Sequence, residues 1–183
     1  LPRLPWRAWA LLDPAYLAHN LMLAELVVRV LRRAPDVQFG GEWAATVSEA
    51  KKVSTGKGTR TIPRPILRPD GFFRFPGGRL YLVEVERARR YDFRRILEKA
   101  RRYARVRERR PDLWKGRWGV ETFPPVLVLA LDAERHVARL RKEARGNRVG
   151  FLFRAWAEFL QGDDPLAGWR SWRDGTVVAV GAG

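Results

Sequence analysis

Residues 66–90, ILRPDGFFRFPGGRLYLVEVERARR, decide how this chain is read. Two runs of strand-forming residues, 66–75 and 79–88, flank Pro76-Gly77-Gly78, and paired glycines allow the positive φ that a tight turn needs. A turn centred on Gly77 sets Asp70 directly opposite Glu84 and Arg68 opposite Glu86. Because side chains alternate along a strand, Asp70, Arg68, Glu84 and Glu86 then share one face, while Tyr81, Val83 and Val85 share the other and can bury against a helix. Directly opposed residues have Cβ atoms about 4.5–5.5 Å apart. Two carboxylates at that spacing need a cation between them or a raised pKa. A hard divalent ion, held by one or two carboxylates and several waters, is one solution. Neutralisation by the surrounding arginines is the other. The residues alone leave both open.

Working outward, the next segment, YDFRRILEKARRYARVRERR at 91–110, has the period of an amphipathic helix ended by Pro111. Phe93, Ile96, Leu97, Ala100 and Ala104 form its apolar stripe, and arginines fill the rest. Few acids balance them, so Arg94, Arg95, Arg101, Arg102 and Arg105 are candidate phosphate contacts, with Arg68 beside them. Upstream, DPAYLAHNLMLAELVVRVLRR reads as a helix with Asp13 as N-cap and Pro14 at the first helical position. Leu17, Leu21, Ala24, Val28 and Leu31 repeat at its amphipathic spacing. Residues 1–12 are expected to form an extended arm, 43–53 a strand and 54–65, STGKGTRTIPRP, a loop.

Downstream of a tryptophan-bearing loop, PPVLVLALDA is a continuous apolar run suited to a strand buried on both faces. A helix over AERHVARLRKEAR closes at Gly146, RVGFLF is a further strand, and the tail reads as a capping helix and a hairpin. Trp156, Trp169 and Trp172 are expected in the core, and His136 falls among surface-type residues. Helix, hairpin, helix, strand, helix, strand argues for one α/β domain over 1–183 with a mixed sheet flanked by helices.

Charge bounds the partners. The 183 residues carry a net charge of +16, from 36 Lys and Arg against 20 Asp and Glu, and 30 of the 36 cations are arginine. A field of that sign attracts polyanions, and the planar guanidinium suits phosphate. DNA is the expected partner. The absence of cysteine excludes a thiolate metal site, and two histidines argue against a histidine-rich one. No apolar run approaches a membrane span, and no signal-peptide pattern is present, so a cytoplasmic place is expected. The segment GKGTR lacks the spacing of a P-loop. His19 reads as a structural hydrogen-bonding residue, on a different helix face from Glu25.

The PD at 69–70, the hairpin and the VEVE at 83–86 together resemble the PD-(D/E)xK nuclease superfamily, whose core is a helix, a three-strand meander, a helix and a strand. That resemblance implies Asp70 and Glu84 as ligands of Mg²⁺ or Mn²⁺ in an endonuclease. The lysine of the pattern would stand at 86, where this chain has Glu86. Lys99 and Tyr103 on the following helix resemble the displaced cation that some members carry there, with Glu86 adding a ligand or holding Lys99. Glu25 resembles an accessory acid on the first helix. A finer likeness joins HNLMLAEL, RPDGFFRF, LYLVEVER, ILEKARRYARVR and DDPLAGW. As a set these are similar to the replication-relaxation family of plasmid and mobile-element proteins. The family implies DNA handling in replication or mobilisation, other replication or transfer proteins as partners, and an upstream winged-helix domain. A catalytically silent DNA-binding module and a scaffold of a replication complex are the rival readings.

Overall fold

The computed structural model describes residues 14–56, 58–87 and 93–181. The expected arm at 1–12 and the cap Asp13 lie outside them. Among the described residues the chain runs α1 (Pro14–Arg33), β1 (Gln38–Gly41), α2 (Glu42–Ala45), β2 (Val47–Thr55), β3 (Gly58–Leu67), β4 (Gly71–Arg74) and β5 (Leu80–Glu86). It continues with α3 (Phe93–Arg109), α4 (Pro111–Trp118), β6 (Val126–Ala130), α5 (Ala133–Glu143), β7 (Phe151–Ala155), α6 (Trp156–Gln161), β8 (Trp169–Ser171) and β9 (Val177–Val178). A seven-stranded sheet has the order β1-β4-β5-β6-β7-β8-β9, and β2 pairs with β3 in a sheet of their own. Strands β5, β6 and β7 are parallel, and the flanking pairs are antiparallel. The mixed sheet flanked by helices that the sequence predicts is present.

All five residues of β6 are buried, because each face of the sheet carries helices. One core joins Leu80, Leu82, Val126, Val128 and Phe151 to Ile96, Ala100 and Tyr103 of α3. The other joins Val83, Val85, Leu127 and Leu129 to Met22, Leu26 and Val30 of α1. The alternation read in β5 therefore holds, with odd residues under α1 and even residues under α3. The turn holds too. Gly71 pairs with Val83 and Arg74 with Leu80, and Gly77 and Gly78 take φ of +81° and +85°, which favours glycine.

Four local expectations are corrected. The stripe read on α1 faces largely outward, with Leu17 52%, Leu21 60% and Val28 43% exposed. The segment NLMLAELVVRVL is apolar nearly all round, so period alone does not choose a face; the sheet selects Met22, Leu26 and Val30. Within the loop expected at 54–65, Ser54 and Thr55 end β2 and residues 58–65 form most of β3, since in a two-stranded ribbon every strand is an edge and tolerates Pro63 and Pro65. The strand expected at 66–75 is split, β3 ending at Leu67 and β4 starting at Gly71. The tryptophan loop contains α4, with Pro111 in its first turn and Gly119 closing it at φ 62°. Trp169 and Trp172 are buried as expected.

His136 is also corrected. It is fully buried, on a stripe with Ala133 and Leu140, which the helical spacing already contained. Burial holds its pKa below the ordinary value, outweighing nearby Glu86 and Asp132. As pH falls, the unfolded chain takes up this proton first, so His136 contributes stability that is present above about pH 6.5 and lost as pH drops below it. The melting temperature should fall less for His136→Gln than for wild type between neutral and mildly acidic buffer. Equal falls would remove His136 as the cause.

Candidate functional site at the end of strand β5

The candidate site forms where the ladder between β4 and β5 stops. The backbone N–H of Asp70 donates to the Val83 carbonyl at 2.9 Å. The paired residues of β4 begin at Gly71, and Asp70 stands just outside them. The Asp70 carboxylate takes over, and its Oδ2 accepts from the Val85 N–H at 2.7 Å. Gly71 follows because β1 comes so close; a Cβ there would stand 2.6 Å from the Phe39 ring and 2.8 Å from the Gly40 carbonyl. On its other oxygen Asp70 meets His19 Nε2 of α1 at 3.4 Å. The hydrogen-bonding role expected for His19 thus has its partner, one that spacing along α1 does not reveal.

Glu84 and Glu86 point under α3. Lys99 and Tyr103, one turn apart on that helix and so on one face, both reach Glu84. Lys99 Nζ donates to Oε2 at 2.7 Å and Tyr103 Oη to Oε1 at 2.6 Å. Lys99 also lies 3.6 Å from Glu86. Glu84 is 1% and Glu86 8% exposed. Asp70, Glu84, Glu86, Lys99 and Tyr103, named from sequence, therefore converge. Two others do not. Arg68 is not opposite Glu86, because the strand paired with β5 begins only at Gly71, and it pairs with Glu42 at 3.3 Å. Glu25 is held by Arg29 at 2.7 Å and lines a different cavity, with Met22, Leu131 and Trp156.

Electrostatics follow from this burial. Burial pushes the Glu84 carboxyl up to about 7, with the Asp70 charge in support and Lys99 and Tyr103 in opposition. Burial works to raise Asp70 as well, but His19, Lys99 and the Val85 N–H hold it below its usual range. The hydrogen bond to Asp70 raises His19. Burial would lower Lys99, yet the charges of Glu84, Glu86 and Asp70 outweigh it and keep the ammonium protonated. Burial and Glu84 both raise Tyr103, which stays a phenol and a donor.

A cavity of about 450 Å³ opens beside this cluster, lined by His19, Glu86, Lys99, Arg95 and Arg102 among others. The arginine face of α3 reaches it directly. Arg94, Arg95, Arg101, Arg102 and Arg105 are all exposed.

The donor set is oxygen-rich and suits a hard divalent ion in kind. Asp70, Glu84 and Glu86 set three carboxylates against one ammonium and one imidazole. Among the described residues no three His, Asp or Glu side chains are grouped to enclose an ion by themselves. An ion held by Asp70 and Glu84 would complete its shell with water, as Mg²⁺ commonly does.

A family model described as replication-relaxation matches residues 5–120, more than half of the chain. The matched span contains every residue of the cluster. No curated protein matches the sequence. No described helix is long and apolar enough to cross a membrane.

Proposed function

We propose that this chain, which belongs to the replication-relaxation family, binds DNA during replication or mobilisation of a plasmid or mobile element and cleaves its phosphodiester backbone at the Asp70–Glu84–Lys99 cluster. The observation that carries this reading is the convergence of two acidic residues and a lysine beneath an arginine-rich helix, at the carboxyl end of parallel strands β5 and β6. The order α1, then β1, β4 and β5 antiparallel, then α3 and parallel β6 supports a PD-(D/E)xK-like core, with β2 and β3 as an insertion in its meander.

In this reading Asp70 and Glu84 hold a Mg²⁺ or Mn²⁺ ion. When bound, it supplies Lewis acidity toward a phosphoryl oxygen. The chain's own residues do the rest. His19 and the Val85 N–H fix the Asp70 carboxylate, and Tyr103 fixes Glu84. Lys99 stands where the ammonium can meet negative charge developing on phosphate. Arg95 and Arg102 hold the backbone at the cavity mouth.

A second reading, a binding module without chemistry, is favoured by one fact. Both oxygens of Glu84 and both of Asp70 already have protein partners. DNA binding is common to both readings and has its own test. Log affinity should fall linearly with log salt, by about 0.9 for each phosphate neutralised on duplex DNA. Changing Arg101, Arg102 and Arg105 together to alanine should weaken all sequences alike and flatten that slope. A triple variant that binds like wild type would remove α3 as the footprint.

A further inference from the structure

The ribbon of β2 and β3 has no place in the seven-stranded sheet. Its base is anchored, since Val47 and Leu67 belong to the core under α3, and Glu49 accepts from Arg110 at 2.6 Å. Beyond that base it stands in solvent. Gly58 through Pro65 are all exposed, as are Ala50, Lys51 and Lys52. The regular ladder runs from Ser48–Pro65 to Thr55–Gly58, a span of roughly 25 Å at strand geometry. A two-stranded hairpin in water gains little from its own contacts, so its composition is informative.

Between 47 and 67 the chain places Lys51, Lys52, Lys57, Arg60 and Arg64 against Glu49 alone. Glu49 is already neutralised by Arg110 and, at 3.8 Å, by Arg64. No ion pair among the described residues involves Lys51, Lys52 or Arg60.

Register gives these cations a direction. Glu49 pairs with Arg64, Lys51 with Ile62 and Val53 with Arg60, and directly opposed residues share a face. Lys51, Arg60 and Arg64 therefore project together. At the base, Arg64 lines a cavity of about 490 Å³ whose other wall is α3, with Arg102, Arg105 and Arg109. Arg102 also lines the cavity that contains Lys99 and Glu86. A row of cations thus runs from the ribbon, across α3, to the carboxylate cluster. Lysine and proline on an exposed edge also deter aggregation, but that role requires no alignment with the arginines of a neighbouring helix.

We infer that the β2–β3 ribbon is a DNA-binding arm, the second wall of a cationic track that carries a phosphodiester backbone past α3 to the cluster at Glu84 and Lys99. The inference rests on the DNA-binding reading and adds where the strand enters. It holds whether or not the cluster cleaves.

The test is anisotropy of a labelled duplex, and of its single strand, titrated with the full chain over a range of salt. Three proteins are compared: wild type, Lys51→Gln/Arg60→Gln, and the alanine triple variant of α3. The ribbon variant should bind about 10-fold or more weakly at moderate salt, with a slope smaller by about 0.9 per lost contact on duplex or 0.7 on single strand. Whichever substrate shows the larger loss is the form the arm holds. Its melting temperature should match wild type, since both changed residues are solvent-facing.

If wild type and the α3 variant behave as proposed but the ribbon variant binds like wild type, the arm is wrong and the DNA reading stands. If wild type binds neither substrate, both fail together. A second measurement does not depend on charge removal. The chain has no cysteine, so Ile62→Cys, opposite Lys51 and on the face of Arg60 and Arg64, can carry a photo-crosslinker at one defined point of the ribbon. Crosslinking to bound DNA is expected. A labelled protein that binds DNA without crosslinking overturns the inference, even if the glutamine variant were to fold poorly.

Discussion

Exchanging Lys99 for methionine is expected to destabilise the fold by about 3 kcal/mol, the low end of the cost of removing one partner of a buried ion pair, because Lys99 itself is 28% exposed. The ammonium is the cation hydrogen-bonded to Glu84, whose side chain is 2% exposed, and it also lies beside Glu86 at 10%. Without it Glu84 keeps only the Tyr103 hydroxyl, and the Asp70 charge remains nearby. By contrast, replacing an exposed arginine of α3 should change stability by no more than about 0.5 kcal/mol. Urea unfolding in a chelating buffer measures both. A loss near 1 kcal/mol for Lys99→Met would mean that the cluster is wetter than its burial implies. Adding Mg²⁺ or Mn²⁺ extends the test. A divalent ion bound by Asp70 and Glu84 would replace the missing charge, so it should raise the variant's melting temperature more than that of wild type. No shift in either protein would count against the metal.

How much of this was legible depends on what each residue touches. The register of β4 with β5 was legible because two adjacent glycines fix a turn, and alternation then fixes the faces. Lys99 and Tyr103 were legible through the resemblance of their helix to a known motif, and both reach Glu84. His19 was not readable as the partner of Asp70, since they meet from α1 and the β3–β4 connection and no sequence period links them. Arg68 misled for a related reason. Extrapolating a ladder assumes that one strand continues, and here the residues before Gly71 belong to β3, which pairs with β2 instead. The ribbon was hidden by its prolines and glycines, which signal a loop except where both strands are edges. The inner face of α1 was hidden by surplus, because too many apolar residues satisfy the period. His136 was hidden by polarity, although its spacing from Ala133 and Leu140 marks a buried position.

Cleavage is expected to vanish in Asp70→Asn and in Glu84→Gln while DNA binding persists, and this pair of results separates the two functional readings. Both substitutions keep shape and remove charge. Asparagine at 70 retains an acceptor for the Val85 N–H, so the end of the β4–β5 ladder should hold. Glutamine at 84 retains an acceptor for one of its two donors, Lys99 or Tyr103. The fold should therefore survive, unlike in Lys99→Met. Each change also removes a negative charge near the track of arginines, so affinity for DNA should stay level or rise. Loss of metal-dependent product should exceed the roughly 10–100-fold that removing an outer partner of a metal site costs. The substrates are branched, single-stranded and supercoiled DNA, each with Mg²⁺ or Mn²⁺. Wild-type protein that binds all three and cuts none, with no metal-dependent shift in melting, would make Lys99 the permanent counter-ion of Glu84. The cluster would then be a structural clasp between β5 and α3, and the chain a DNA-binding module.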